Sequence, residues 1–386
     1  MRVYLAFFQT FARGPGAANY GFWADTMRRG LGECGHTVLE SPTIDWATGM
    51  EIVDPVAQRA WRDRTWETVL AELAGHQAGD GVDLFLGYFF PKQVAPDAVR
   101  EVIRRGIPAV NFFCDNVREY TKVPEEYRCF TLHWVPEWAS LSLYQAAGLP
   151  CLHAPMPVWI PAEARTLPTR EEAVVTFLGS HDDLRAGLFG ELAQLGASLQ
   201  VRGKGWATPG ARTAAPAPHG SLLGRQWRFF RQHGAAALLR KLSRPSIRLA
   251  PPAAWLGAPV PQAEYWRLTR ESAVTVGVNR FDSPRFRPGE FGTYSRLRDL
   301  EAPMLGACYL TEWAPGLDHL YDLENEIAVY RDAAELAARL RELSADDARR
   351  RRMRRAAQAR ALHDHTIGPT LRKIAQTLGL PAGTTP

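Results

Sequence analysis

Arg298 and Glu301 stand three residues apart in YSRLRDLEAPMLGACYLTEWAPGLDHLYDLENEIAVY, residues 294–330. On a helix that spacing puts both side chains on one face, so a guanidinium and a carboxylate can address one ligand. A carboxylate at the head of a helix suits the paired hydroxyls of a ribose. A guanidinium beside it suits phosphate oxygens, which it meets with a planar fork of N–H donors. The plain alternative is a surface ion pair worth roughly a few tenths of a kcal/mol. Gly179-Ser180, with Arg185 behind it, reads as a strand-to-helix turn offering backbone N–H groups and a cation to an anion. Lys204 adds a cation from the next strand end, and Asn279, Arg280, Tyr294 and Glu290 fall around the same mouth. Asp115 closes a strand at its C-terminal end, where ligands bind in open α/β sheets. It is a candidate base or ligand contact, although Asp-Asn pairs also cap helices. Asn19 and Tyr20 follow the first glycine loop and are candidate ligand contacts too.

Strand ends and helix starts must hold such residues. Val3–Phe8 reads as a buried strand, followed by a loop with Gly14 and Gly16, a helix over Asn19–Leu31 and a strand in GECGHTVLE. That opening is Rossmann-like. Strands at Val82–Tyr88, Ile107–Phe113 and His133–Val135 alternate with helices at Trp66–His76, Asp97–Arg105 and Ser140–Ala147. The alternation predicts a doubly wound parallel sheet. PMPVWIPAEARTLP, residues 155–168, reads as a proline-rich linker. Beyond it come a strand from Val174, a helix over Leu184–Leu195, the strand SLQVRGKGW and a Pro-, Ala- and Arg-rich insert at 207–261. A helix and strand then end at Asn279-Arg280. The helix carrying Glu301 is expected to start close to Pro303, which fits only a first turn. A strand over Ala307–Leu310 should follow, with Thr311 and Glu312 opening a loop. Helices are expected at Asp332–Leu343, Ala345–Leu362 and Thr366–Leu378.

A chain of 386 residues suits two domains rather than one core. The net charge of +5 is local. Between Leu192 and Ala263 there are ten Lys or Arg and no Asp or Glu, so the remainder carries 36 basic against 41 acidic residues. One basic face near an anionic partner fits this better than general nucleic-acid binding. Arg225, Trp227, Arg228, Phe229, Phe230 and Arg231 can form an amphipathic helix on a membrane surface. A cover over the site or a loop is the alternative. The run Arg349–Arg355 reads as a solvated helix face. No apolar run is long enough to cross a bilayer, and MRVYLAFFQTFARG reads as a strand rather than a signal peptide. Five scattered cysteines without metal-ligand spacing imply free thiols in a reducing cytoplasm.

The ordered set Phe177, Gly179, Ser180, Arg185, Gly203-Lys204-Gly205-Trp206, Arg298, Leu300, Glu301, Ala302, Gly306, Thr311 and Glu312 resembles the donor half of GT-B glycosyltransferases. In particular it resembles the spore-maturation-protein-like (CgeB-like) branch of group 1 glycosyltransferases, with Leu300 where Phe is usual. The resemblance implies a GT-B α/β fold: two Rossmann-like domains facing across a cleft, with a C-terminal helix crossing back onto the first. The domains would be 1–160 plus 366–386, for the acceptor, and 169–365, for the nucleotide sugar. It implies transfer of a sugar from a nucleoside diphosphate sugar, a UDP-sugar foremost, to a hydroxyl of a small-molecule, glycan or lipid-linked acceptor. No cofactor or metal is expected. The donor would meet Gly179, Ser180, Arg185, Lys204, Asn279, Arg280, Tyr294, Arg298 and Glu301, and the acceptor Asn19 and Tyr20. Asp115 and Glu290 are the candidate catalytic residues. Ten residues separate Glu290 from Glu301, where retaining relatives have seven. A nucleotide-sugar epimerase of the same architecture and a non-catalytic binding scaffold are the alternatives.

Overall fold

The computed structural model describes residues 1–10, 21–206, 249–283, 286 and 290–381. The chain divides into two compact units, Met1–Trp159 with His363–Pro386, and Ile160–Leu362.

The first unit is built on six parallel strands: β1 (Arg2–Ala6), β2 (Thr37–Leu39), β3 (Leu84–Tyr88), β4 (Ala109–Phe112), β5 (Leu132–Val135) and β6 (Cys151–His153). Their order is β2-β1-β3-β4-β5-β6. Helices α1 (Gly21–Glu33), α2 (Pro55–Gln77), α3 (Pro96–Arg104), α4 (Asn116–Glu119) and α5 (Leu141–Ala146) connect them. The central strands read as unbroken apolar runs because both faces are covered. On one face Trp23 of α1 and Trp134 of β5 meet Phe112 edge-on and tilted, at 5.6 and 4.8 Å between ring centroids. On the other, Trp66 of α2 and Tyr4 of β1 pack on Phe85. Helix α2 starts at Pro55 rather than Trp66. Asp54 caps it by accepting from the Val56 and Ala57 amides, with proline in the first turn, where its missing N–H costs nothing. The C-terminal helix (Ile367–Leu378) also belongs to this unit. It lies so close to α1 that a Cβ on Gly30 would fall 2.1 Å from the Ile367 Cδ1.

The second unit repeats the plan. Strands β7 (Glu172–Leu178), β8 (Gln200–Arg202), β9 (Leu256–Gly257), β10 (Ser272–Gly277), β13 (Tyr309–Glu312) and β14 (Ala328–Tyr330) are all parallel, in the order β14-β13-β10-β7-β8-β9. A small antiparallel ribbon, β11 (Arg280–Phe281) with β12 (Gly292–Thr293), follows β10. Helices α6 (Asp183–Gln194), α7 (Gln262–Glu271), α8 (Arg298–Met304), α9 (Ala333–Ala345) and α10 (Asp347–Asp364) surround the sheet. Phe177, Phe189, Trp206, Val276, Leu310, Tyr330 and Leu336 share its core. The strand order reverses between β7 and β10, which places a ligand crevice at the C-terminal ends of those two strands. Arg354 of α10 ties the opposite edge. It donates to the carbonyls of Arg270, Gly306 and Ser272 and pairs with Glu171.

Two expectations are corrected here. Thr311 and Glu312 do not open a loop; they complete β13, paired with Val329 and Tyr330 of β14. Polar side chains are tolerated there because each finds buried partners. Pro303 stands inside α8 rather than in its first turn; the helix ends within a residue of it, so one hydrogen bond is forgone rather than a long ladder broken. Asn19, Tyr20, the loop with Gly14 and Gly16, and Arg225, Trp227, Arg228, Phe229, Phe230 and Arg231 lie outside the described residues.

Candidate functional site

The turn after β7 is tightly built. Gly179 donates its amide to the Arg202 carbonyl and accepts the Trp206 indole N–H on its own carbonyl, at 2.9 and 2.7 Å. A Cβ on Gly203 would fall 2.0 Å from that carbonyl oxygen, so the β7 and β8 turns approach in a way only glycine permits. Asp182 caps α6 through the Arg185 amide. The Arg185 side chain folds back over the Phe177 ring, donates to the Ser180 carbonyl at 2.8 Å and lies 3.1 Å from the Asp182 carboxylate. Arg298 reaches the same aromatic ring from α8, its guanidinium carbon 5.9 Å from the Phe177 centroid and 5.5 Å from that of Tyr265. A Cβ on Gly179 would meet the Arg298 Nη1 at 3.2 Å. Arg296 lies against Tyr294, at 4.8 Å. Arg185 and Arg298 thus meet at one turn, with Arg296 near enough to act on the charge of Arg185. Burial lowers the Arg185 pKa to about 10; Asp182 works against the shift, while Arg296 and Arg298 add to it. A cationic cluster disfavoured in this way is what an anion would relieve.

Glu301 sits one turn along α8 from Arg298, and the Tyr265 hydroxyl of α7 donates to its Oε2. Desolvation raises the Glu301 carboxyl, with Arg298 and the tyrosine bond opposing. For Arg298 desolvation works against the charge, and Tyr265, Glu301 and Tyr309 outweigh it. Arg298, Tyr265 and Glu301 therefore form one half-buried polar strip beside the Gly179 turn.

Behind this strip a buried scaffold joins β10, α8 and β13. Asp299 accepts from the Asn279 amide group, the Tyr309 and Thr311 hydroxyls and the Arg296 backbone amide, at 2.8 to 3.0 Å. The Glu312 carboxylate takes the backbone amides of Asn279 and Arg280 and pairs with the Arg280 guanidinium at 2.6 Å. Asn279 and Arg280 are almost fully buried. Their side chains hold the site from behind, which differs from the expected role as ligand contacts. Burial raises the Asp299 carboxyl against its hydrogen bonds from Thr311 and Tyr309.

The remaining predicted residues separate. Ser180 and Lys204 are exposed at the mouth, and the Lys204 carbonyl accepts the His181 amide. Tyr294 is buried against Phe281. Glu290 is exposed, next to Phe291, whose ring lies 4.4 Å from the Arg280 guanidinium. Asp115 belongs to the other unit. It follows β4 at the start of α4 and is the one non-glycine residue with positive φ among those described. Such strain is a pointer to function. Arg296, Asp299, Phe177 as a platform and Tyr265 were not singled out from sequence. The R-x-R spacing of Arg296 and Arg298 was the available signal. Among the described residues, no three His, Cys, Asp or Glu are grouped to hold a metal ion, and no helix is long and apolar enough to cross a membrane.

Residues 185–376 match the glycosyl transferase-like family, a span that carries Arg185, Arg296, Arg298 and Glu301. Solved structures share the whole fold. HepE of Anabaena, solved with UDP-glucose, superposes with a TM-score of 0.55 at 13% identity, covering 98% of this chain and 99% of that one. AviGT4, a glycosyltransferase involved in avilamycin A biosynthesis, gives 0.54 at 14%, covering 100% and 99%. The sucrose-phosphate synthase of Thermosynechococcus elongatus gives 0.53 at 13%, covering 98% of each chain. No curated protein matches the sequence. The architecture is that of GT-B proteins, two parallel α/β units. With the family match, the chain is a glycosyltransferase.

Proposed function

We propose that this enzyme takes its sugar from a nucleoside diphosphate sugar, a UDP-sugar foremost, and passes it to a hydroxyl acceptor. One observation carries the reading: Arg185 and Arg298 meet at the Gly179 turn, at the switch point of the second sheet, with Arg296 near enough to act on Arg185. Two phosphates leaving with the nucleotide would neutralise them. Arg185 and Arg298 would hold the diphosphate, with the Ser180 turn and Lys204 at the outer edge. Glu301, oriented by Tyr265, would accept the ribose hydroxyls. This arrangement stabilises the leaving group by fixed cations and calls for no bound metal. Asp115 would take the proton of the acceptor hydroxyl. The pattern from Arg298 to Glu312 supports reading the enzyme as one of the spore-maturation-protein-like branch of group 1 glycosyltransferases. Its acceptor would be a small molecule, glycan or lipid-linked sugar. In the last case the basic, aromatic segment at 221–250 would lie on a membrane surface in the cytoplasm.

Calorimetry and thermal shift against UDP, GDP, dTDP, CDP and ADP, with and without magnesium, test this. The expected result is selective micromolar binding of UDP that magnesium leaves unchanged. Binding of none of the five would overturn the donor-site reading. Selective binding of another diphosphate would keep the site and correct the base.

A further inference from the structure

Asp115 is held at φ 66° and ψ 20°, a conformation that costs an L-residue about 1–2 kcal/mol. Something must impose it. The peptide that follows Asp115 donates its N–H, that of Asn116, to the Glu137 Oε1 at 3.0 Å. The Asn116 side-chain amide donates to the other oxygen, Oε2, at 2.8 Å, and to the Phe113 carbonyl at 2.6 Å. The Tyr144 hydroxyl donates to the Asn116 Oδ1 at 2.9 Å. At the other end of that same peptide, the Asp115 carbonyl accepts the Arg118 and Glu119 amides at 2.9 and 3.0 Å. Asn116 and Glu137 are completely buried, and Tyr144 nearly so. The peptide plane whose orientation sets ψ of Asp115 is therefore fixed by named bonds through both its N–H and its carbonyl. A carboxylate that accepts two N–H donors, one on each oxygen, does so best when ionised.

We propose that Glu137 is the positioning residue for Asp115: its buried carboxylate grips Asn116 by backbone and side chain and so holds Asp115 in its left-handed conformation. The proposal rests on reading Asp115 as the base or acceptor contact. Glu137 acts from β5's exit, where its own carbonyl accepts the Ser140 amide and starts the next turn. Asp115 and Cys114 face it from the loop after β4, and Tyr144 from α5. Arg118 lies 3.6 Å from Asp115. Burial pushes Glu137 up to about 7; its bonds from Asn116 oppose the shift and Asp115 adds to it. Protonation turns one of its oxygens into a donor facing an N–H, and the grip loosens. The Asp115 loop should therefore be set at higher pH and slack at lower pH, with the change centred near neutrality.

The test uses the full-length chain, isotopically labelled, with Glu137→Gln, Asp115→Asn and the double variant. In the wild type the amide resonances of Asp115 and Asn116 should titrate together near pH 7. In Glu137→Gln they should be indifferent to pH, with Asn116 exchanging its amide at least tenfold faster. Release of UDP from UDP-glucose should fall at least tenfold in Glu137→Gln with UDP affinity unchanged, and Glu137→Gln should add nothing to Asp115→Asn. Amides that ignore both pH and the substitution in the wild-type comparison would overturn the clamp. Losses in turnover that add in the double variant would overturn its action through Asp115. A fully active Asp115→Asn would instead sink the reading of Asp115 itself, and the resonances would still judge the clamp. If Glu137→Gln does not fold, Tyr144→Phe removes one bond to Asn116 and must show a smaller change of the same kind.

Discussion

Arg185→Met removes a cation from a place where the fold holds it at a cost. A guanidinium lowered to about 10 is disfavoured in its charged form by about 3 kcal/mol at neutral pH. Against that stand its two hydrogen bonds to Ser180, about 1 kcal/mol each. The pair with Asp182 is already contained in that net shift and adds nothing further. The terms nearly cancel, so the ligand-free variant should melt within about 3 °C of the wild type. UDP binding should behave differently. Losing charge-assisted hydrogen bonds to a diphosphate costs about 1.5–3 kcal/mol, a rise in Kd of about 10- to 150-fold. Calorimetry with UDP and a melting curve on the same sample read both quantities. A Kd within twofold of the wild type, together with a clearly lower Tm, would refute the reasoning and make Arg185 a residue that ties its own turn. The pH dependence has a defined sign. Above about pH 10 folded Arg185 discharges, so UDP affinity should fall. Over the same range the unfolded chain still holds the proton, so this residue's contribution to folding stability should rise.

Glu301→Gln should weaken UDP binding by about 1–3 kcal/mol and abolish the preference for UDP over 2′-deoxy-UDP; competition calorimetry reads both, and a retained preference removes Glu301 from the ribose. Asp115→Asn should cut turnover about 10²- to 10⁴-fold with UDP affinity and Tm kept, because asparagine also accepts positive φ; steady-state kinetics beside the melting curve decide it. Arg354→Met should cost about 3–5 kcal/mol in urea unfolding by leaving the buried carbonyls of Arg270, Gly306 and Ser272 without their donor, while Glu171 keeps Arg350, and a loss below about 1 kcal/mol would show that α10 does not depend on it.

The alternation of buried strands and helices was legible in sequence because parallel strands covered on both faces read as apolar runs. Gly179, Arg185, Arg298 and Glu301 could be picked out by type and local spacing, and the fold gathers them beside one turn. The strand end at Thr311-Glu312 was not, because a carboxylate looks like a loop residue until its partners are known. Those partners, Asn279 and Arg280, lie more than thirty residues away. Asn279 and Arg280 were legible as residues at a strand end but not as scaffold, since their burial depends on the same distant acid. Arg296 escaped notice for the opposite reason: in sequence it is one more arginine, and only Tyr294 and the Arg280 carbonyl that anchors it give it a direction.

In the second unit neighbouring groups hold the arginine cluster together. Arginines gathered without counter-charge would push apart, and the turn would open. Here some acids sit behind the arginines and others beside them. Asp299 fixes the Arg296 backbone from below, Glu312 neutralises Arg280, and Tyr265 bridges Arg298 to Glu301. Asp182 reaches Arg185 from the solvent side. Asp299 and Glu312 are spent on the scaffold rather than on the arginines at the Gly179 turn. Their hydrogen bonds also keep the guanidiniums in place, so little reorganisation is needed when a diphosphate enters. Removing Asp299 should therefore damage UDP binding more than removing any exposed cation at the mouth. Asp299→Asn keeps the shape but takes away the charge and turns one acceptor into a donor facing hydroxyls. Its UDP affinity should drop by more than that of Lys204→Ala, and calorimetry on the two variants gives the ranking. The reverse order would mean that the pocket is assembled by its ligand instead of by its buried acids.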